Sequence, residues 1–122
     1  LPSESSYEAN FYDNLINNKV LFTKPYEMYN EDIYPYVPDA IIDEKSSILN
    51  SNYNNLFKCN KKDVIFELFG IQGNNEYDKL KNKKNNTGNK INNSNTDLKF
   101  ISLDVSTMDD IDNFFNTNKT FL

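Results

Sequence analysis

Glu67 sits inside Val64-Ile-Phe-Glu-Leu-Phe69, an acid with large apolar residues on either side. Such surroundings favour the neutral carboxyl, so Glu67 is a candidate buried acid with a raised pKa. Its commoner fates are a place at a strand end or a pairing with Lys. Asp104, Asp109, Asp110 and Asp112 form a second acidic group. A calcium loop needs alternating oxygen ligands, a central Gly and a distal Glu. That spacing is missing here, and Asp109 and Asp110 suit the first turn of a helix instead. Cys59 closely follows Leu56-Phe57 and reads as a half-buried small hydrophobe rather than a nucleophile. Tyr26, Tyr29, Tyr34 and Tyr36 lie among Pro25, Pro35 and Pro38. Their rings can be covered while their hydroxyls stay wet, which makes them candidate partner contacts.

The missing residue types narrow the chemistry further. The chain has no His, no Arg and no Trp, while Asn occurs 22 times. Without His, neither Ser-His-Asp nor Cys-His machinery can be built from this chain alone, and His-bearing zinc sites are excluded. One cysteine supplies neither an all-cysteine zinc site nor an internal disulfide. Without Arg there is no planar fork for phosphate or guanine. No catalytic, cofactor-binding or metal-binding residue is therefore assigned, and the chain alone is not read as an enzyme. The composition resembles that of Asn/Lys-rich malaria-parasite proteins. Codon bias explains the absences as well as selection against the chemistry does.

The net charge is −5. Non-specific binding to nucleic acid needs clustered cations, so no nucleic-acid partner is expected. Residues 1–44 carry nine Asp/Glu against Lys19 and Lys24, whereas residues 79–99 carry six Lys against Asp97. No apolar run approaches the length of a transmembrane span. The chain begins at Leu1 rather than Met, and a segment of a larger polypeptide or complex is expected; the compartment stays open. Asn85, Asn92 and Asn118 stand in Asn-x-Ser/Thr sequons, which arise by chance in so Asn-rich a chain.

The positioning elements follow from periodicity. Residues 6–18 predict a helix capped by Ser5 or Ser6, with Tyr7, Phe11 and Leu15 on one stripe and a stop at Asn17-Asn18. Residues 20–45 read as a Tyr/Pro-rich extended arm, because the prolines deny a regular helix. Residues 46–58 predict a helix with Leu49, Tyr53, Leu56 and Phe57 on one face. Residues 63–69 predict a strand buried on both sides. The Asn/Lys-rich block at about 74–96 has little to bury and reads as a disordered insertion or mobile loop. Leu98–Val105 predicts a second strand, and a turn at Ser106-Thr107 opens a helix over 108–115.

Two resemblances attach to these elements. The strand and helix around Leu103-Asp-Val-Ser-Thr-Met-Asp-Asp-Ile111 look like the third strand of a dinucleotide-binding dehydrogenase. That fold needs a Gly-rich turn after its first strand, and no glycine precedes Gly70; nucleotide binding is rejected for this chain alone. Val64-Ile-Phe-Glu-Leu-Phe-Gly-Ile-Gln-Gly73, followed by Leu80, resembles part of a PLAT (lipoxygenase-homology) domain. That resemblance implies a β-sandwich and binding to lipid or membrane proteins. It is the only reading that brings in a membrane.

The expected architecture is α+β: a small sheet of two or three strands, an antiparallel hairpin between 63–69 and 98–105, and two or three short helices. A β-sandwich fragment is the alternative. Residues 1–19 form a short helix, 20–45 the arm, and 46–122 an interrupted core. Two strands are rarely stable alone, so a further strand from 20–43 or completion by a partner is expected. The expected function is non-enzymatic interaction with another protein or with the rest of its own polypeptide. A fragment of an enzyme whose catalytic residues lie elsewhere, and a PLAT-like module, are the alternatives.

Overall fold

The computed structural model describes residues 4–70 and 73–117, in an α+β arrangement. Helix α1 spans Glu4–Asn17, and strands β1 and β2 span Phe22–Thr23 and Ala40–Ile42. Helices α2 (Ser46–Leu49) and α3 (Tyr53–Phe57) lead into strand β3 (Asp63–Gly70). Helix α4 (Asn75–Asn93), strand β4 (Leu98–Val105) and helix α5 (Met108–Thr117) complete the described chain. The four strands form one sheet in the order β1-β2-β3-β4.

The arm supplies the further strands that the two-strand deficit called for. β1 pairs antiparallel with β2, and β2 with β3 through Ala40↔Phe66 and Ile42↔Val64. The sheet is thus larger than the two or three strands expected. The hairpin expectation is corrected as well: β3 and β4 are parallel, from Asp63↔Leu98 to Gly70↔Val105. Parallel neighbours need a crossover connection, usually a helix, and α4 is that helix. The block read as a disordered insertion is therefore the 19-residue connection that fixes the strand direction. The β-sandwich alternative needs a second sheet, and the described residues form only one.

Apolar burial builds the first face of the sheet. Phe11 and Leu15 of α1, Ile111 and Phe115 of α5, and Tyr53, Leu56 and Phe57 of α3 close over Ala40, Ile42, Val64, Phe66 and Leu68. The rings of Phe11 and Phe66 lie 4.6 Å apart, and Phe114 stands edge-on to Phe66 at 5.4 Å. The predicted stripe of α1 is thus the one it buries, and α1 ends at Asn17, next to the predicted stop. The helix begins at Glu4, ahead of Ser5 and Ser6, and the residues before Glu4 lie outside the described ones. The helix expected over 46–58 is broken in two. The Asn50 side chain accepts the Asn52 backbone N–H at 2.8 Å, a local turn that competes with the helix. Leu49 consequently leaves the buried face and stands 54% exposed.

The second face carries a smaller cluster. Tyr34, Ile65, Ile91, Leu98 and Phe100 are its buried members, with Tyr29 and Tyr36 packed against it. Helix α4 starts at a good cap: the Asn74 side chain accepts the backbone N–H groups of Glu76 and Tyr77. Glu76 and Asp78 in its first turn and Lys90 in its last complement the helix dipole. Gly88 lets α4 approach the sheet. A Cβ there would lie 2.1 Å from the Phe100 ring.

Candidate functional site

Beneath α4, Glu67 is only 1% exposed. Strand alternation puts Val64, Phe66 and Leu68 into the large apolar core and turns Ile65 and Glu67 to the α4 side. Three groups converge on Glu67. The Tyr34 hydroxyl, fully buried, donates to its Oε2. The Lys84 ammonium from α4 lies 3.1 Å from the same oxygen. The third is Asp39, whose carboxyl lies near enough for the Glu67 charge to act on it. Asp39 precedes β2, and one step beyond the Ala40↔Phe66 pair of the antiparallel register it stands opposite Glu67. Its Oδ2 accepts the Leu68 backbone N–H at 2.7 Å, in place of a strand partner.

The electrostatics follow from this packing. Burial, and then the Glu67 charge opposite, push the Asp39 carboxyl up to about 7; the Leu68 N–H and Lys84 pull it down but do not win. Glu67 has the Lys84 ammonium and the Tyr34 hydroxyl as its partners. Of the two carboxyls, Asp39 is the one driven toward its protonated form. Burial together with the Glu67 contact raises the Tyr34 hydroxyl far above its ordinary range, so it stays a donor. Tyr12 of α1 donates to the Asp39 backbone carbonyl at 2.7 Å, which fixes the strand entry.

Chemically, this cluster is two carboxyls, an ammonium and a phenol held together under α4. It has the groups for acid–base work, with Glu67 and Tyr34 buried and Asp39 and Lys84 partly exposed. One groove of about 420 Å³ lies between the 31–35 turn and the last turns of α4, lined by Glu31, Asp32, Ile33, Lys90 and Ile91 among others. Another of about 310 Å³ lies along β1, between Leu21, Ile41 and Asp63. Neither reaches Asp39, Glu67, Tyr34 or Lys84.

The sequence singled out Glu67, and the structure gives it the Lys pairing named as the ordinary fate of such an acid. The four tyrosines separate. Tyr26 is 95% exposed, Tyr29 and Tyr36 pack on the second cluster, and Tyr34 is a core residue. Of the four candidate partner contacts, Tyr26 is the exposed one, Tyr34 is buried, and Tyr29 and Tyr36 are partly buried on the α4 face. Asp39, Lys84 and Gly88 had no reading of their own in the sequence. Asp39 becomes visible only once β2 is known to pair with β3.

The remaining acids have separate duties. Asp110 accepts from the Ser106 and Thr107 backbone N–H groups and the Ser106 hydroxyl, and these bonds hold its carboxyl below the usual range. Asp112 accepts from Asn10 and Asn14 of α1, and Asp104 pairs with Lys81 at 2.7 Å. No cluster among the described residues could hold a metal ion. Burial raises the Cys59 thiol, which disfavours the nucleophilic thiolate. No described helix is long and apolar enough to cross a membrane. Comparison with protein-family models, curated proteins and solved structures finds no match to this chain.

Proposed function

We propose that this chain is a non-enzymatic interaction module that meets another protein, or the rest of its own polypeptide, through the segment between β1 and β2. One observation carries the reading. Of the nine exposed large hydrophobics among the described residues, four lie between β1 and β2, namely Tyr26, Met28, Ile33 and Val37, and Leu21 stands just before β1. Single exposed apolar side chains are ordinary, but a concentration of them on one segment marks a contact surface. The same segment is anchored at its base by Tyr34 and Asp39, so its outer side chains are presented from a fixed support.

Photo-crosslinkers placed at Tyr26 and Met28, in the cells that make the protein, test this directly. A discrete protein adduct is expected from both positions and none from Lys79 on the outer face of α4. Equal labelling from all three positions, or a folded monomer with no adduct, defeats the reading.

A second reading, a fragment of an enzyme, draws on the Asp39–Glu67–Lys84–Tyr34 cluster, because perturbed acids concentrate at active sites. It requires the cluster to become open to solvent when further chain is attached. Loss of the Tyr34–Glu67 hydrogen bond in the longer protein, seen by NMR of the Tyr34 hydroxyl, is its test.

A further inference from the structure

The Asp39–Glu67 pair joins the base of the 29–39 segment to β3, and Lys84 joins the same point of β3 to α4. Two carboxylates directly opposite one another on neighbouring strands repel. Among the described residues, Lys84 is the one cation at ion-pair distance from Glu67. With one proton on the pair the cluster is neutral overall: Asp39 uncharged, Glu67 negative, Lys84 positive. Without that proton it carries a net negative charge inside the fold, and two carboxylates face one another.

We propose that Asp39 and Glu67 form a proton-operated latch that fastens the 29–39 segment to the sheet and loosens when its proton is lost. The other polar groups around it do not replace that proton. Tyr34, from the segment itself, is already donating to Glu67. From α1, the Tyr12 hydroxyl is committed to the Asp39 backbone carbonyl, and Glu8 is paired with Lys24 at 3.8 Å. From α4, Lys81 one turn before Lys84 is paired with Asp104 of β4. From β4, Ser102 stands level with Glu67 in the parallel register and is uncharged. The latch does not depend on the interaction reading, although it would govern how firmly the Tyr26–Val37 surface is held.

The sign follows from linkage. The folded Asp39 carboxyl binds its proton more tightly than the unfolded one, with a pKa of about 7 against an ordinary 3.8. Between those values the native state holds the extra proton, so stability falls as pH rises through the window and levels off above it. One linked proton changes the folding equilibrium by up to about tenfold per pH unit.

The experiment combines carboxyl ¹³C NMR titration of the whole chain with hydrogen exchange of residues 29–39 and 75–93, corrected for intrinsic rates, at pH 6 and pH 8. Asp39 is expected to titrate near neutrality, and residues 29–39 should exchange up to about tenfold faster at the higher pH, with no greater change in 75–93. Asp39→Asn keeps a neutral donor toward Glu67 and an acceptor for the Leu68 N–H. It should fold, remove the pH difference in exchange, and leave residues 29–39 protected at pH 8. An Asp39 that titrates in the ordinary carboxyl range overturns the latch, as does equal exchange of residues 29–39 at the two pH values. An Asp39→Asn variant that is unfolded at pH 6, or keeps the wild-type pH response, also overturns it.

Discussion

The two faces of the sheet are closed by different physics. On one, α1, α3 and α5 bury an apolar cluster in which Phe11, Phe66 and Phe115 are fully buried. On the other, α4 approaches through Lys81, Lys84, Gly88 and Ile91, of which only Ile91 is an ordinary core residue. Lys81 pairs with Asp104 and lies over the Phe69 ring, Lys84 meets Glu67 and the Tyr36 ring, and Gly88 admits Phe100. The first face draws on a non-directional term that tolerates small shifts of packing. The second depends on partners meeting within hydrogen-bond distance, so it is sensitive to protonation and to single atoms of extra bulk.

This contrast can be broken from either side. The largest effect is expected from Phe66→Ala on the apolar face, about 3–5 kcal/mol from lost burial and the cavity left behind. Chemical denaturation would measure it, and the loss should be nearly independent of pH. Lys84→Met on the α4 face leaves the Glu67 charge without its cation and should cost about 3 kcal/mol. Adding Glu67→Gln should restore part of that loss, because it removes the stranded charge; a purely additive double variant would mean that the pair is not coupled. Gly88→Ala opposes two effects. Helix propensity favours Ala by about 1 kcal/mol, but the new Cβ meets a Phe100 ring that is itself buried. Overpacking should win, with a net loss of about 1–2 kcal/mol in thermal denaturation. The smallest effect sharpens the comparison at the sheet edge. The Asn92 side-chain amide donates to the Phe100 carbonyl and accepts its N–H, standing in for a strand that β4 lacks there. Asn92→Ala should cost about 1 kcal/mol and speed exchange of the Phe100 amide. The same two bonds occupy the Asn92 amide, so glycosylation of that sequon would require the edge to open.

The apolar face was readable one residue at a time. Phe11 and Leu15 recur at helical spacing, Val64, Phe66 and Leu68 at strand spacing, and Ile111 and Phe115 at helical spacing again. Each belongs to an element short enough for local periodicity to find. The α4 face was not readable in that way. Its contact stripe reads Lys, Lys, Gly, Ile, and a hydrophobic pattern registers only the last. Its start signals were present, with Asn74 as cap and Glu76 and Asp78 behind it, but a run of Asn and Lys obscured them. Once the block was read as an insertion, the two strands on either side became a hairpin by default. A single mistaken element thus reversed the direction of a strand.

The sequence by itself determined the chemistry available and most of the elements. It excluded His-based catalysis and Arg-based recognition within these residues, and it located β3, β4, α1 and α5 by the period of their apolar side chains. Only the tertiary structure decided what Glu67 does. A buried acid is defined by its neighbours, and those neighbours come from the end of the arm, from the middle of α4 and from Tyr34, brought together by the pairing of β2 with β3 and by the crossover of α4. Local periodicity carries no information about which distant side chain arrives opposite. The carboxyl pair is therefore a property of the fold's register rather than of any segment of the chain.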